Sequence, residues 1–423
     1  MDYFALHKKQ TRMKRKRSKF IGQITNFIKE KKVVEEKGKE DFDQDVIQLW
    51  NWNINGIRTS INREYLLKFL KSHKPLILCL NEIRIDENAM KKSKIKSFIP
   101  AEYAQYYNYA TAKKGYAGTG ILTKVKPLNV IYDIGVEDHS LEGRTLTLEF
   151  KKFFLVTSYF PNSQPGLKRL DYRVTQWDKD FWKFIQKLEE KGKPVILCGD
   201  LNVSHTEDDI TDPHKWYKSP CFTKQERDSF SSFLSQGYVD LFRYFHPYNY
   251  KFTSGTCFRT GKQPKAVFAT PQGLRIDYFI VNKQIINACL DSEIHDDVLG
   301  SDHVPISLEI NLSKLKFKSK GGKTLEDCLK EQEEKEKQSK EETKENTETT
   351  KTTTTKEKES SLDSELESII LSSYDSQSSP SKSTPKVESI PECSPSPLPG
   401  PESDLNTEDL LDILNSASEN SKT

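Results

Sequence analysis

Between residues 45 and 312 the chain carries two alternating hydrophobic periods. Short runs rich in β-branched and aromatic side chains, at 47–54, 75–80, 120–123, 128–132, 145–150 and 153–159, predict strands. The last four follow one another closely enough to pair as antiparallel neighbours. Helical spacing occurs at 61–71 and again at 171–190, where Trp177, Phe181, Phe184, Ile185 and Leu188 fall on one face. A strand at 195–200 follows, and the capping box Thr223-Lys224-Gln225-Glu226 then opens a helix carrying Phe230, Phe233 and Leu234. Strands at 276–281 and 304–310 close the segment. Runs of neighbouring strands mixed with a few long helices fit an α/β protein of two sheets covered by outer helices.

On both sides of that segment the pattern stops. Lys, Glu, Ser, Thr and Pro dominate 1–44 and 313–423, compositions that bury too little apolar surface to fold alone. The expected organisation is a basic disordered extension over 1–44, one folded domain over 45–312 and a disordered tail over 313–423. Two islands of the tail, 362–371 and 405–414, set leucine and isoleucine at helical spacing among acids. They would fold on a protein partner, although chance apolar residues in a biased tail read the same way.

The formal net charge of +3 averages a basic start against a mixed tail, so its distribution matters more than its size. Lys8, Lys9, Arg12, Lys14, Arg15, Lys16, Arg17 and Lys19 form a cluster that fits nuclear import or nucleic-acid contact. A mitochondrial presequence, normally free of acids, is the alternative, less favoured with Asp2 present. No apolar run approaches the ~20 residues of a membrane span, and a soluble intracellular protein is expected. The seven cysteines are widely spaced and form no Cys-x-x-Cys pair, which argues against a disulfide framework or a zinc site.

Candidate chemistry lies where apolar runs end. Cys198-Gly199-Asp200-Leu201-Asn202 closes one run with an acid and an amide at alternate positions, so that both point to one side if the strand continues. Taken alone, the same residues make an ordinary Asx turn. Asn51-Trp52-Asn53-Ile54-Asn55-Gly56 and Cys79-Leu80-Asn81-Glu82 end two further runs, Tyr159 and Asn162 follow another, and Arg275-Ile276-Asp277-Tyr278 precedes Gly300-Ser301-Asp302-His303. A sheet gathers its strand ends along one rim, so five such ends point to one site rather than five turns. Carboxylates and carboxamides without paired thiols are hard donors that suit Mg²⁺, or Mn²⁺, and such ions work on phosphates.

These motifs, in this order, resemble the exonuclease III type of apurinic/apyrimidinic endonuclease within the endonuclease/exonuclease/phosphatase superfamily, over about 45–312. The resemblance implies a four-layer α/β sandwich, two packed mixed sheets flanked by helices, with the site at the rim. It implies a base-excision-repair enzyme that cuts the phosphodiester 5′ to an abasic site in double-stranded DNA and works as a monomer. Asp200 would activate the water and Asn202 orient it, while Tyr159, Asn162 and His303 bind the phosphate and Asp277 fixes the His303 ring. The metal would lie among Asn53, Glu82, Asp200, Asn202, Asp302 and His303. DNA contacts would come from Asn55, Arg58, Arg84, Tyr116, Asn162 and Arg169, and an abasic-sugar pocket from Phe252, Leu274 and Ile276.

The chain departs from the family pattern at Leu274, where relatives usually carry Trp, at Pro165, where some carry a DNA-wedging Arg, and in the long segment 253–273. These departures leave a 3′-5′ exonuclease or a less lesion-selective nuclease as the alternative. An inactive scaffold acting through the tail is the remote one.

Overall fold

The computed structural model describes residues 41–255, 273–335 and 337–338. The basic cluster at 8–19, both tail islands and 256–272 lie outside them. Strands β1 (Val46–Asn53), β2 (Ile77–Asn81), β3 (Ala104–Asn108), β4 (Thr119–Thr123), β13 (Cys289–Ile294) and β14 (Ile306–Asn311) form one six-stranded sheet, ordered β13-β14-β1-β2-β4-β3. Strands β5 (Asn129–Tyr132), β6 (Thr145–Glu149), β7 (Phe154–Tyr159), β8 (Val195–Asp200), β9 (Tyr238–Asp240) and β12 (Asp277–Asn282) form the second, ordered β5-β6-β7-β8-β12-β9. A short ribbon, β10 (Ser254–Gly255) with β11 (Gly273–Leu274), completes the strands. Both sheets are mixed: β1 with β2 and β7 with β8 run parallel, and the other pairs are antiparallel.

Side-chain alternation decides what each face of a strand meets. Trp50 and Trp52 of β1 and Leu78 and Leu80 of β2 pack against helices α1 (Ile57–Asn62) and α2 (Tyr65–His73). Phe154 and Val156 of β7 and Val195 and Leu197 of β8 pack against α3 (Asp178–Glu189) and α4 (Lys224–Leu234). The intervening residues, Asn51, Asn81 and Thr157 among them, therefore enter the gap between the sheets. There Asn81 Nδ2 donates to Thr157 Oγ1 at 3.1 Å, and Thr157 donates to Asn51 Oδ1 at 3.2 Å. Burial on both faces explains why these strands read as continuous apolar runs.

Several elements differ from the periodicity. The 61–71 stretch is two helices, α1 and α2, broken where Glu64 takes a φ of 61°. The 171–190 stretch begins as a π-helix over Tyr172–Trp177 and continues as α3. Strands β3 and β13 were not foreseen; both are sheet edges, where polar residues interrupt the apolar pattern. Burial also continues beyond residue 312, at Leu315, Phe317, Leu325 and Cys328, and the compact unit runs to Cys328. From Leu329 on, only helical residues 329–335 and 337–338 are described.

Gly199, just before the end of β8, has a φ of +141°, and a Cβ built there would lie 1.9 Å from the Ser158 carbonyl oxygen of β7. Backbone cannot yield as a side chain does, so Gly199→Ala should destabilise the fold by about 2–4 kcal/mol, as strained small-to-large changes do. Chemical denaturation of the full chain measures this; an unchanged midpoint would contradict the close approach.

Candidate active site

Parallel pairing carries several strand ends to one rim. Asn53 stands beside Asn81 in the first sheet, and in the second a single row reads Tyr159, Asp200, Asp277 across β7, β8 and β12. Asn81 Oδ1 accepts from the Asp200 N–H at 3.2 Å, which ties the row to the opposite sheet. Asn53 then joins the acids of both sheets: its Nδ2 donates to Glu82 Oε1 and to Asp200 Oδ2, each at 2.9 Å. The Asn202 N–H donates to Asp200 Oδ1 at 2.9 Å, so both oxygens of this buried carboxylate are oriented.

Across the site Asp277 Oδ2 holds His303 Nδ1 at 2.7 Å, and His303 Nε2 lies 3.8 Å from Asp200 Oδ2. Trp52 Nε1 donates to the His303 carbonyl at 3.0 Å, and Ser301 Oγ to that of Asn53 at 2.8 Å. Asn55 Nδ2 donates to Asp302 Oδ2 at 2.8 Å. Burial alone would lower the histidine pKa, but the Asp277 carboxylate and, behind it, Asp200 raise it to about 10. Burial, followed by repulsion from Asp277, pushes Asp200 up to about 8 against the opposing pull of His303. Burial and the nearby Glu82 and Asp200 carboxylates hold the Tyr159 phenol well above its usual range, so it remains a donor.

The structure separates the remaining expected residues by what they touch. The Asn202 carboxamide lies between two partners: Nδ2 donates to the Phe160 carbonyl, and Oδ1 accepts from Asn162 Nδ2, both at 2.9 Å. Arg84 pairs with Glu82 Oε2 through Nε at 2.7 Å and Nη2 at 2.6 Å. Tyr116 accepts at its hydroxyl from Arg144 Nη2 at 2.8 Å and Arg169 Nη1 at 3.1 Å, and both arginines also reach Glu142. Arg58 stands exposed on the first turn of α1. Phe252, against whose ring Gly273 packs, and Leu274 are half-buried, and Ile276 is buried; 256–272, which lie between Phe252 and Leu274 in sequence, are not described.

Three contributors escaped the sequence reading. Arg144, fully buried, donates to the Tyr159 carbonyl at 2.9 Å and places its guanidinium carbon 4.9 Å from the Tyr159 ring centroid. Cys221 Sγ lies 3.3 Å from Asn202 Oδ1. Thr253 Oγ1 accepts from the Ile276 N–H at 3.0 Å and the Asp277 N–H at 3.1 Å, while its carbonyl accepts from the Val304 N–H at 2.8 Å. It thereby fastens the Asp277 strand to the residue after His303. The charged residue at a strand start was the only signal for Arg144; the other two carried none.

Single ligand atoms of Glu82, Asp200 and His303 lie within 4.8 Å of one another. Glu82 and Asp200 supply oxygen donors that fit a hard divalent cation. His303, expected among the ligands, belongs to this group, and its Nδ1 lies 2.7 Å from Asp277 Oδ2. A two-sheet sandwich whose rim joins such a carboxylate pair to a charged His–Asp pair defines a hydrolase suited to phosphate esters.

The sequence profile of the endonuclease/exonuclease/phosphatase family matches residues 50–303, and the chain belongs to that family. Among its relatives, an exodeoxyribonuclease of Bacillus subtilis is 42% identical over 266 residues, covering 63% of this chain and 100% of the relative. The DNA-(apurinic or apyrimidinic site) endonuclease of Dictyostelium discoideum is 38% identical over 276 residues, 64% of this chain and 72% of that protein. The crystal structure of the AP endonuclease LMAP from Leishmania major shares the fold, with a TM-score of 0.55 at 23% identity over 63% of this chain and 88% of that one.

A pKa of about 10 means that His303 is charged below that pH and loses its proton as pH rises through it. The pair's contribution to stability is complete below the unfolded-histidine value of ~6.5, declines as pH rises from there and is lost as pH passes about 10. Asp277→Asn removes the main raising partner and leaves burial opposed by Asp200 and Asp302, so His303 should lose its proton below pH ~9 in the variant. NMR titration of the imidazole checks this; a variant still charged at pH ~9 would contradict it.

Proposed function

We propose that this protein is a DNA-repair endonuclease that hydrolyses the phosphodiester 5′ to an abasic site, leaving a 3′-hydroxyl and a 5′-deoxyribose phosphate. The observation that carries the reading is Asp200, oriented at both oxygens and set between Glu82 and the His303–Asp277 pair. A carboxylate raised to about 8 has the basicity to take a proton from water near neutral pH. The His303 imidazolium and the Tyr159 hydroxyl are donors for the oxygens on which negative charge accumulates. Arg144 holds Tyr159 in place, and Thr253 holds the His303–Asp277 pair.

Glu82 and Asp200 would hold the divalent ion, Mg²⁺ or Mn²⁺ by donor type, and it would supply positive charge beside the phosphate. Double-stranded DNA is the proposed partner, with Arg58, Tyr116 and Arg169 toward its backbone. The basic cluster at 8–19 supports the nucleus as the location. A 3′-5′ exonuclease is the second reading, favoured by Leu274, a half-buried residue that closes the sugar pocket less firmly than a Trp would.

Duplex DNA with one abasic site, digested beside the same intact duplex in Mg²⁺, separates the readings. Cutting confined to the abasic strand supports the endonuclease, and equal digestion of both substrates would sink it. Asp200→Asn should lower the rate by about 100- to 1,000-fold; full activity in that variant would remove Asp200 from the mechanism.

A further inference from the structure

Both oxygens of Glu82 already have partners, of different kinds. Oε1 accepts from the neutral Asn53 amide, whereas Oε2 accepts twice from one guanidinium, through Arg84 Nε and Nη2. Oε2 is therefore the atom at which a second cation would compete with Arg84. The Glu82 side chain is 10% exposed and that of Arg84 is 45% exposed, so the arginine can leave while the carboxylate stays. The same guanidinium is within electrostatic reach of Tyr159 and Asp302, on the side where a phosphate would lie.

We propose that Arg84 is an internal cation that holds Glu82 until a divalent ion replaces it, and that the released guanidinium then engages a DNA phosphate. This rests on the metal-dependent nuclease reading above and adds a coupling to it. Metal and DNA each weaken the Arg84–Glu82 pair, the metal by taking the carboxylate and the DNA by taking the guanidinium. Each must then tighten the other by the same factor. An arginine suits the task because its planar fork pairs equally well with a carboxylate and a phosphate.

The test is a Mn²⁺ titration of the full chain, read by the EPR signal of free Mn²⁺, which reports binding without turnover. It is run with and without a duplex that carries an abasic analogue and a phosphorothioate at the scissile position. Without DNA, Arg84→Gln should bind Mn²⁺ about tenfold tighter than wild type, or about 1.4 kcal/mol. Arg63→Gln, the same charge change at the exposed end of α1, should leave the affinity unchanged. With DNA, the affinity gained by wild type should shrink in Arg84→Gln. Equal or weaker Mn²⁺ binding by Arg84→Gln, or an undiminished gain from DNA, overturns the coupling. If wild type and Glu82→Gln bind Mn²⁺ equally, the metal reading fails and the proposal fails with it.

Discussion

The site depends on one carboxamide that spans the gap between two sheets. Asn53 gives one proton to Glu82 at the end of β2 and the other to Asp200 at the end of β8. Without a bridge, two carboxylates whose oxygens lie within 4.8 Å would repel by about 3 kcal/mol at an effective dielectric of ~20. A neutral donor orients both acids without adding charge of its own, and Glu82 also pairs with the guanidinium of Arg84 at 2.6 Å.

The bridge is only as rigid as the sheets behind it. Asn51, Asn81 and Thr157 link the inner faces by hydrogen bonds, and the Asp200 N–H closes the chain on Asn81. Apolar side chains alone would let the sheets slide, whereas a bonded polar ladder permits one alignment. Gly199 allows β7 to approach closely at the point where Asp200 is presented. The fully buried Arg275, paired with Asp209 at 2.7 Å and Asp240 at 2.6 Å, anchors the chain that leads into Asp277. A buried charge set of this kind is costly to break because a lone member is left uncompensated.

Much of the fold was legible because strands buried on both faces leave long apolar runs. The runs that became β1, β2, β4 to β8, β12 and β14 were recognised within a residue or two. The edge strands β3 and β13 were not, because polar residues interrupt their apolar pattern, and neither were the break at Glu64 and the π-turn over Tyr172–Trp177. Of the site, the acids and amides were visible as polar residues ending apolar runs, and the motif order grouped them. Thr253 and Cys221 gave no such sign, because their bonds run to backbone or to an amide on another segment.

Sequence alone determined which acids and amides lie at strand ends, because alternation and the abrupt stop of an apolar run are local properties. Tertiary structure decided what each residue touches. The partners of Asn53 lie 29 and 147 residues away, and those distances close only when two sheets pack face to face. Packing raised the pKa of His303 and of Asp200 and bonded the Asn202 carboxamide to Phe160 and Asn162. It also set Arg84 on the carboxylate expected to hold the metal. Protonation states and partners are set by charge and burial in three dimensions, and no stretch of sequence contains them.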